Sequence, residues 1–338
     1  TEEEQKVISK QISSKLGEEH PLDYTVTEGV TKKFGLVNAY ISKISDFVLS
    51  PDFFIESDDE EQVKIIDAFC NKTKLRSYQK SWFEEGLIKG AAYMEIAGLL
   101  DPASENEIKN ISSDSIFIVR DEYGKIKTFN QFLGNSYSVI NETKIIPLKP
   151  EEIAYLKVNA IGNCTYGYGL VYSALCTINN FLLADKSIHR LMKRKANSPI
   201  HAVLGDKEKE DYPEQADIDA FGEKLTFMNE MTEWVTGPNC EMKVLDFGNI
   251  SDKFAGILDH DYKLLSYSFQ VPETIMGAGN VPEGLANVQM DGFNRRIKAY
   301  QSDISNVYVK IFDKVLLNNG YSEEEIDYKI TWGQPNEE

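Results

Sequence analysis

From Val26 onward, apolar residues recur every three or four positions, at Val30, Phe34, Val37, Ile41, Ile44 and Val48. That spacing lays one continuous stripe along a helix. Ser50-Pro51 stops it, because a proline ring disfavours helical backbone at the residue before it. Val63, Ile66 and Phe69 predict a second helix, and Leu75, Tyr78, Trp82 and Leu87 a third that ends at Gly90. The pattern then turns to short strands over residues 91–96 and 153–158. Two more lie between Ile116 and Leu133 and flank Asp121-Glu122-Tyr123-Gly124, whose Asp and Gly suit a tight reversal. The first region therefore reads as α+β.

Beyond the glycines at 162, 167 and 169 the period becomes helical again, over 170–195, with Ala174, Ile178, Phe181, Leu182, Ile188 and Leu191 as apolar positions. Asn197-Ser198-Pro199 ends that helix. A compact mixed stretch follows, with a strand at 200–204, a helix over 213–228, and strands at 233–235 and 242–245. It has the character of a small inserted module. A helix over 251–269 returns from it, and a loop at 271–283 rich in glycine and proline leads to the last helix, 285–317. Phe293, Ile297, Tyr300, Ile304, Val307, Ile311 and Val315 form its stripe, and Asn319-Gly320 its stop. At ~1.5 Å per residue such a helix approaches 50 Å and needs neighbours along its whole length. No internal repeat or low-complexity run interrupts this order.

With 338 residues the chain can bury a substantial core, as one elaborated domain or two to three modules, and 42% hydrophobic and 27% charged residues are those of an ordinary globular protein. Its net charge of -18 argues against a protein that grips nucleic acid over its whole surface, so any role on DNA must be local or non-adhesive. Cys70, Cys164, Cys176 and Cys240 are widely spaced, with no CxxC pair and no histidine at ligand spacing, so neither a zinc site nor a disulfide framework is expected. No apolar run reaches the ~18 residues of a bilayer span, and the acidic start is unlike a signal sequence, so a soluble chain that makes no membrane contact is expected.

The search for chemistry is largely empty. Met276-Gly277-Ala278-Gly279-Asn280 lacks the Lys-Ser/Thr of a phosphate-binding loop, and its ordinary reading is a flexible connection. Asp58-Asp59-Glu60-Glu61 and Asp259 with Asp261 read as solvated acidic faces, not metal ligands. His20, His189, His201 and His260 sit in no GxSxG or HExxH motif. No enzyme activity, metal or cofactor is expected. One basic cluster stands out, Lys186, His189, Arg190, Lys193, Arg194 and Lys195 at the end of the 170–195 helix. Attraction to the helix dipole explains it without any ligand. The sharper reading is a phosphate contact, with Lys186, Arg190 and Lys193 on one face at i, i+4, i+7 and Arg194 beside them.

The order of helix, small α/β insert, returning helix, loop and very long helix resembles the portal proteins of tailed bacteriophages. Gly90-Ala91-Ala92-Tyr93 after a helix is similar to that family's G-x-A-Y segment, and Tyr168-Gly169-Leu170-Val171-Tyr172-Ser173 to the stretch that opens its stem, though Val-Tyr-Ser replaces the usual continuation. Phe269-Gln270-Val271-Pro272-Glu273-Thr274-Ile275-Met276-Gly277, followed by a long helix, is the most specific match. The resemblance implies a wing at 1–169, stem helices at 170–196 and 251–270 around a clip at 197–250, a tunnel loop at 271–284, and a long wing helix with a C-terminal strand at 285–338. By the same comparison a helical crown is expected to be absent or truncated.

By the same resemblance the chain forms a ring of about twelve copies at one capsid vertex, through which double-stranded DNA is packaged and ejected. Val271, Pro272, Met276, Gly277, Ala278, Gly279, Asn280, Val281, Pro282 and Glu283 are then the channel loop. His201, Asp206, Lys207, Trp234 and Lys243 belong to the clip that meets the terminase large subunit during filling and a head-tail adaptor afterwards. The major capsid protein is a further implied partner, and the implied location is the virion, with the host cytoplasm during assembly. Competing expectations are another virion structural protein, such as an adaptor or minor head protein, and an acidic enzyme.

Overall fold

The computed structural model describes residues 16–96, 98, 108–133, 145–196, 200–205, 212–227, 236, 239–244, 251–277 and 282–333, without the side chains of 194–196 and 251–255. It divides into two compact units, one formed by Thr1–Ile178 with Lys263–Glu338 and the other by Asn179–Tyr262.

The larger unit opens with α1, Tyr24–Lys33, whose first turn is capped by the Asp23 carboxylate accepting from the Thr25 amide at 3.0 Å. Here the structure departs from the single expected stripe. Phe34 is extended, at φ -110 and ψ 98, and separates α1 from α2, Gly35–Leu49. α1 buries Tyr24, Thr27 and Thr31 and leaves Val26 exposed. A threonine face can be buried because each hydroxyl finds a backbone carbonyl, Thr27 donating to Tyr24 at 3.1 Å and Thr31 to Thr27 at 2.8 Å. α2 restores the expected face, with Val37, Ile41, Ile44 and Val48 buried.

Strand β1, Phe53–Glu56, precedes α3, Glu60–Thr73, which Asp59 caps, and α4, Leu75–Lys89, which Gly90 ends in the left-handed region at φ 86. Two three-stranded antiparallel sheets follow. One has the order β3-β2-β7, from Lys109–Ile111, Ala91–Glu95 and Ile153–Lys157. The other has the order β4-β5-β6, from Ile116–Arg120, Ile126–Phe132 and Ile145–Leu148. Between them the rings of Tyr93 and Tyr155 stack at 5.0 Å, and Phe129 meets both edge-on.

α5, Leu170–Ala196, leaves this unit, and α7, Ser251–Phe269, re-enters it. α8, Glu283–Asn318, is a helix of 36 residues, about 54 Å at ~1.5 Å per residue. Every residue of its expected stripe is buried, against α2, α3 and β7. Phe312 and Tyr308 face Phe53, while Phe69 packs on Phe312 and Trp82 on Tyr308. Finally β10, Lys329–Trp332, pairs antiparallel with β1, placing Trp332 opposite Phe53.

The smaller unit holds the outer part of α5, the antiparallel pair β8, Ile200–Leu204, and β9, Cys240–Val244, helix α6, Gln215–Thr226, and the start of α7. Among its described residues only Ile188 is buried, and α6 buries none. The strand expected at 233–235 lies outside the described residues. No helix among the described residues is long and apolar enough to cross a membrane.

Candidate functional site

The two glycine motifs prove to be one structural node. A Cβ on Gly169 would stand 1.9 Å from the Ile88 carbonyl oxygen, and one on Gly167 would stand 2.0 Å from that of Val158. A Cβ on Gly90 would stand 2.5 Å from the Gly167 carbonyl oxygen. No side chain fits between these backbones. The crossing is closed by hydrogen bonds from the Val158 amide to the Gly90 carbonyl, 2.9 Å, and from the Tyr168 amide to the Val158 carbonyl, 3.0 Å. It fixes where α5 starts. One helical stretch further on, the Thr177 and Ser268 hydroxyls meet at 3.3 Å and tie α5 to α7. Nearby, Tyr40 joins α2 to α7 through the Ser266 hydroxyl at 2.6 Å and stacks on Phe269 at 4.9 Å.

The segment after α7 begins with Gln270 in the left-handed region, at φ 55, which turns the chain sharply. Val271 is buried, and its amide donates to the Ser266 carbonyl at 3.1 Å, so within the expected channel loop it is an anchor and not a surface position. Three consecutive turn bonds wind the stretch from Pro272 through Met276 to Gly277. Pro282 then starts α8, its carbonyl accepting from Leu285 and Ala286, and the exposed Glu283 carboxylate complements the helix N-terminus. Ala278, Gly279, Asn280 and Val281 lie outside the described residues.

Lys186, Arg190 and Lys193 share an exposed face of α5, as their spacing predicts. His189 beside them is 3.5 Å from Asp185. The Arg194 side chain is outside the described residues. His201 and Lys243 are direct cross-strand partners on the β8–β9 pair, both exposed, with Lys243 held by Glu241 at 2.6 Å. Asp206, Lys207 and Trp234 lie outside the described residues. The Lys186 face and the His201–Lys243 pair both belong to the smaller unit, whereas the described part of the channel loop belongs to the larger one.

Sequence reasoning missed an ion-pair hub. Lys89, with a side chain only 6% exposed, reaches Asp114 at 2.5 Å, Glu85 at 3.2 Å and Glu28 at 3.4 Å. Burial disfavours its charge, but Glu85 and Asp114 outweigh that and its pKa is raised. His20 was also passed over. Its ring packs among Tyr24, Phe117 and Tyr166, and its Nε2 lies 2.7 Å from the Ile116 carbonyl oxygen. Burial lowers its pKa from 6.5, against the pull of the Ile116 carbonyl and Asp114. Glu85 is an i,i+4 partner of Lys89 and Tyr24 lies four residues from His20, but their other partners, Glu28, Asp114, Phe117 and Tyr166, come from more distant segments, which local sequence does not mark. No group of His, Cys, Asp and Glu among the described residues is arranged to hold a metal ion.

No family model matches the chain, and no curated protein matches it. Its fold does recur among solved structures. A chain from the virion of a native gene transfer agent particle is 11% identical, with TM-score 0.66 over 92% of this chain and 84% of that one. Two chains from neck structures of such particles are each 12% identical and cover 90% of this chain. The empty-particle neck, computed with C6 symmetry, gives TM-score 0.65 and 84% of its own chain. The native-particle neck, computed with C12 symmetry, gives 0.64 and 83%. At these identities the likeness defines a shared fold.

Proposed function

We propose that the chain is a portal-type subunit that assembles into a ring of about twelve copies at one capsid vertex, the channel for double-stranded DNA during packaging and ejection. The observation that carries this reading is the smaller unit. Among its described residues the insert buries only one and leaves Leu183, Met192, Val244 and Phe227 exposed by 55%, 57%, 64% and 83%, so its described part shows no core of its own. Copies arranged around an axis supply the missing surface through head-to-tail contacts. The likeness to chains from the neck of gene transfer agent particles supports the same reading.

On this reading α5 and α7 are the stem, the β8–β9 unit is the clip, and the segment after α7 is the loop toward DNA. His201 and Lys243 then face the packaging motor and later the adaptors, and the wing faces the capsid. The net charge of -18 suits a conduit, since carboxylates repel the duplex and let it slide, while Lys186, Arg190 and Lys193 offer a local phosphate contact. The role is structural and not catalytic. Light scattering with negative-stain images of the purified protein tests the proposal. A channel-bearing ring of about twelve subunits supports it, and a chain that stays monomeric at every concentration, or a particle without a channel, would sink it.

A further inference from the structure

The larger unit contains a cavity of about 420 Å³ bounded by the end of β4, the 121–124 turn, β5, β7, residues 163–165 and α8. Four cations reach it from four places, Arg120, Lys125, Lys157 and Lys310, and no carboxylate is among its lining residues. In a chain with 54 acidic and 36 basic residues that is the reverse of the prevailing surface. Arg120 is compensated, its Nε donating to Glu18 at 2.5 Å and its Nη1 to the Asn163 carbonyl at 3.1 Å. The other three are not. Lys157 donates to the Cys164 carbonyl, an uncharged partner, and among the described residues Lys125 and Lys310 make no ion pair. One turn along α8, burial lowers the pKa of Lys314 against the opposing pull of Glu151 and then Glu152, and Lys310 adds the smallest contribution, in the lowering direction.

Lys125 and Lys310 are exposed and Lys157 is half-buried, and all three line one concave wall with Phe129 and Tyr155, so their positive fields add there and favour an anion. A compact, multiply charged anion with several acceptor oxygens matches that concentration of positive charge and offers charge-assisted hydrogen bonds to the lysine N–H donors. We infer that this cavity is a phosphate-binding site, taking a phosphate dianion or phosphate ester with Lys125, Lys157 and Lys310 as its donors. The inference concerns the larger unit alone and does not depend on ring formation. Two sources supply this chemistry, a small phosphate compound and the phosphate of a nucleic-acid backbone.

Calorimetric titration of the full chain with inorganic phosphate at fixed ionic strength tests it. The expected result is saturable binding at one site per subunit, weakened at least about tenfold in the double variant Lys125→Ala, Lys310→Ala. Lys64→Ala, which removes an exposed lysine paired with Glu60 on α3, should bind as the parent does. Melting without phosphate verifies that the double variant folds; if it does not, Lys157→Met takes its place. Short duplex DNA that competes with phosphate identifies the backbone as the source, and failure to compete identifies a small phosphate compound. No saturable binding to the parent chain, or equal binding by the lysine variants, would overturn the site.

Discussion

The two units of this protein solve the problem of burial in opposite ways. In the larger one, Trp82, Tyr40, Tyr93, Tyr308, Phe53, Phe83, Phe269 and Phe312 are all fully buried, and α8 spends its whole apolar stripe on neighbours from the same chain. In the smaller one, the described strand pair and helix bury no residue: Ile200, Leu204, Met242, Phe221 and Leu225 are half-buried, and Val203, Ile218 and Val244 are exposed. A fold stable at about 5–15 kcal/mol rests on buried apolar area, which the first unit has in quantity and the described part of the second does not. The difference lies in packing and not in composition, since both units contain ordinary amphipathic helices.

That contrast can be broken from either side. The largest effect should come from the aromatic cluster: Phe312→Ala removes a ring that touches Phe53, Phe69, Tyr308 and Tyr328, and should lower stability by about 4 kcal/mol in urea melts. Next is Lys89→Met, which leaves Glu28, Glu85 and Asp114 facing one another. Removing one partner of a buried cluster typically costs 3–5 kcal/mol, but Glu28 and Asp114 are partly solvated, so a loss of about 2 kcal/mol is expected by the same measurement.

A smaller effect is expected from acid. His20 has its folded pKa depressed below 6.5, so the unfolded chain binds the proton more readily. The stability it contributes is fully present above about pH 6.5 and is lost as pH falls toward the folded pKa. The urea midpoint should therefore drop between about pH 7.5 and about pH 5.5, and the drop should be smaller in His20→Gln. The smallest effect belongs to the insert. Phe227→Ser should leave the stability of an isolated chain within about 0.5 kcal/mol, while impairing any assembly read by light scattering. A large loss in the isolated chain would show that the insert has a core after all.

Much of the architecture was legible because its longest elements carry strong periodicity. The seven stripe residues of α8 are all buried, the limits of α4 and α5 fall within a few residues of where Gly90, Gly169 and Pro199 place them, and α7 occupies the expected 251–269. What failed to show was non-local. Strands β1, β3 and β6 have three or four residues each, too few for alternation to register, and β1 exists only because β10 lies beside it after some 270 intervening positions. The break at Phe34 was hidden for a related reason, since a threonine face becomes buriable only once its hydroxyls are seen to bond within the helix. Of the site, the basic face of α5 followed from spacing. The cationic cavity did not, because Arg120, Lys125, Lys157 and Lys310 are scattered over 190 positions and meet only in the fold.

The hydroxyl pair Thr177–Ser268 has one more consequence. It fastens together two points 91 residues apart, so everything between them is, to the larger unit, a closed loop whose ends are already held. Loop-closure entropy rises only logarithmically, by about 0.6 kcal/mol for each doubling of length. The segment can therefore be lengthened, shortened or exchanged for foreign sequence at little expense to the unit that carries it. The larger unit is in this sense a socket with a replaceable head, and foreign sequence grafted between positions 179 and 262 should leave its aromatic core in place.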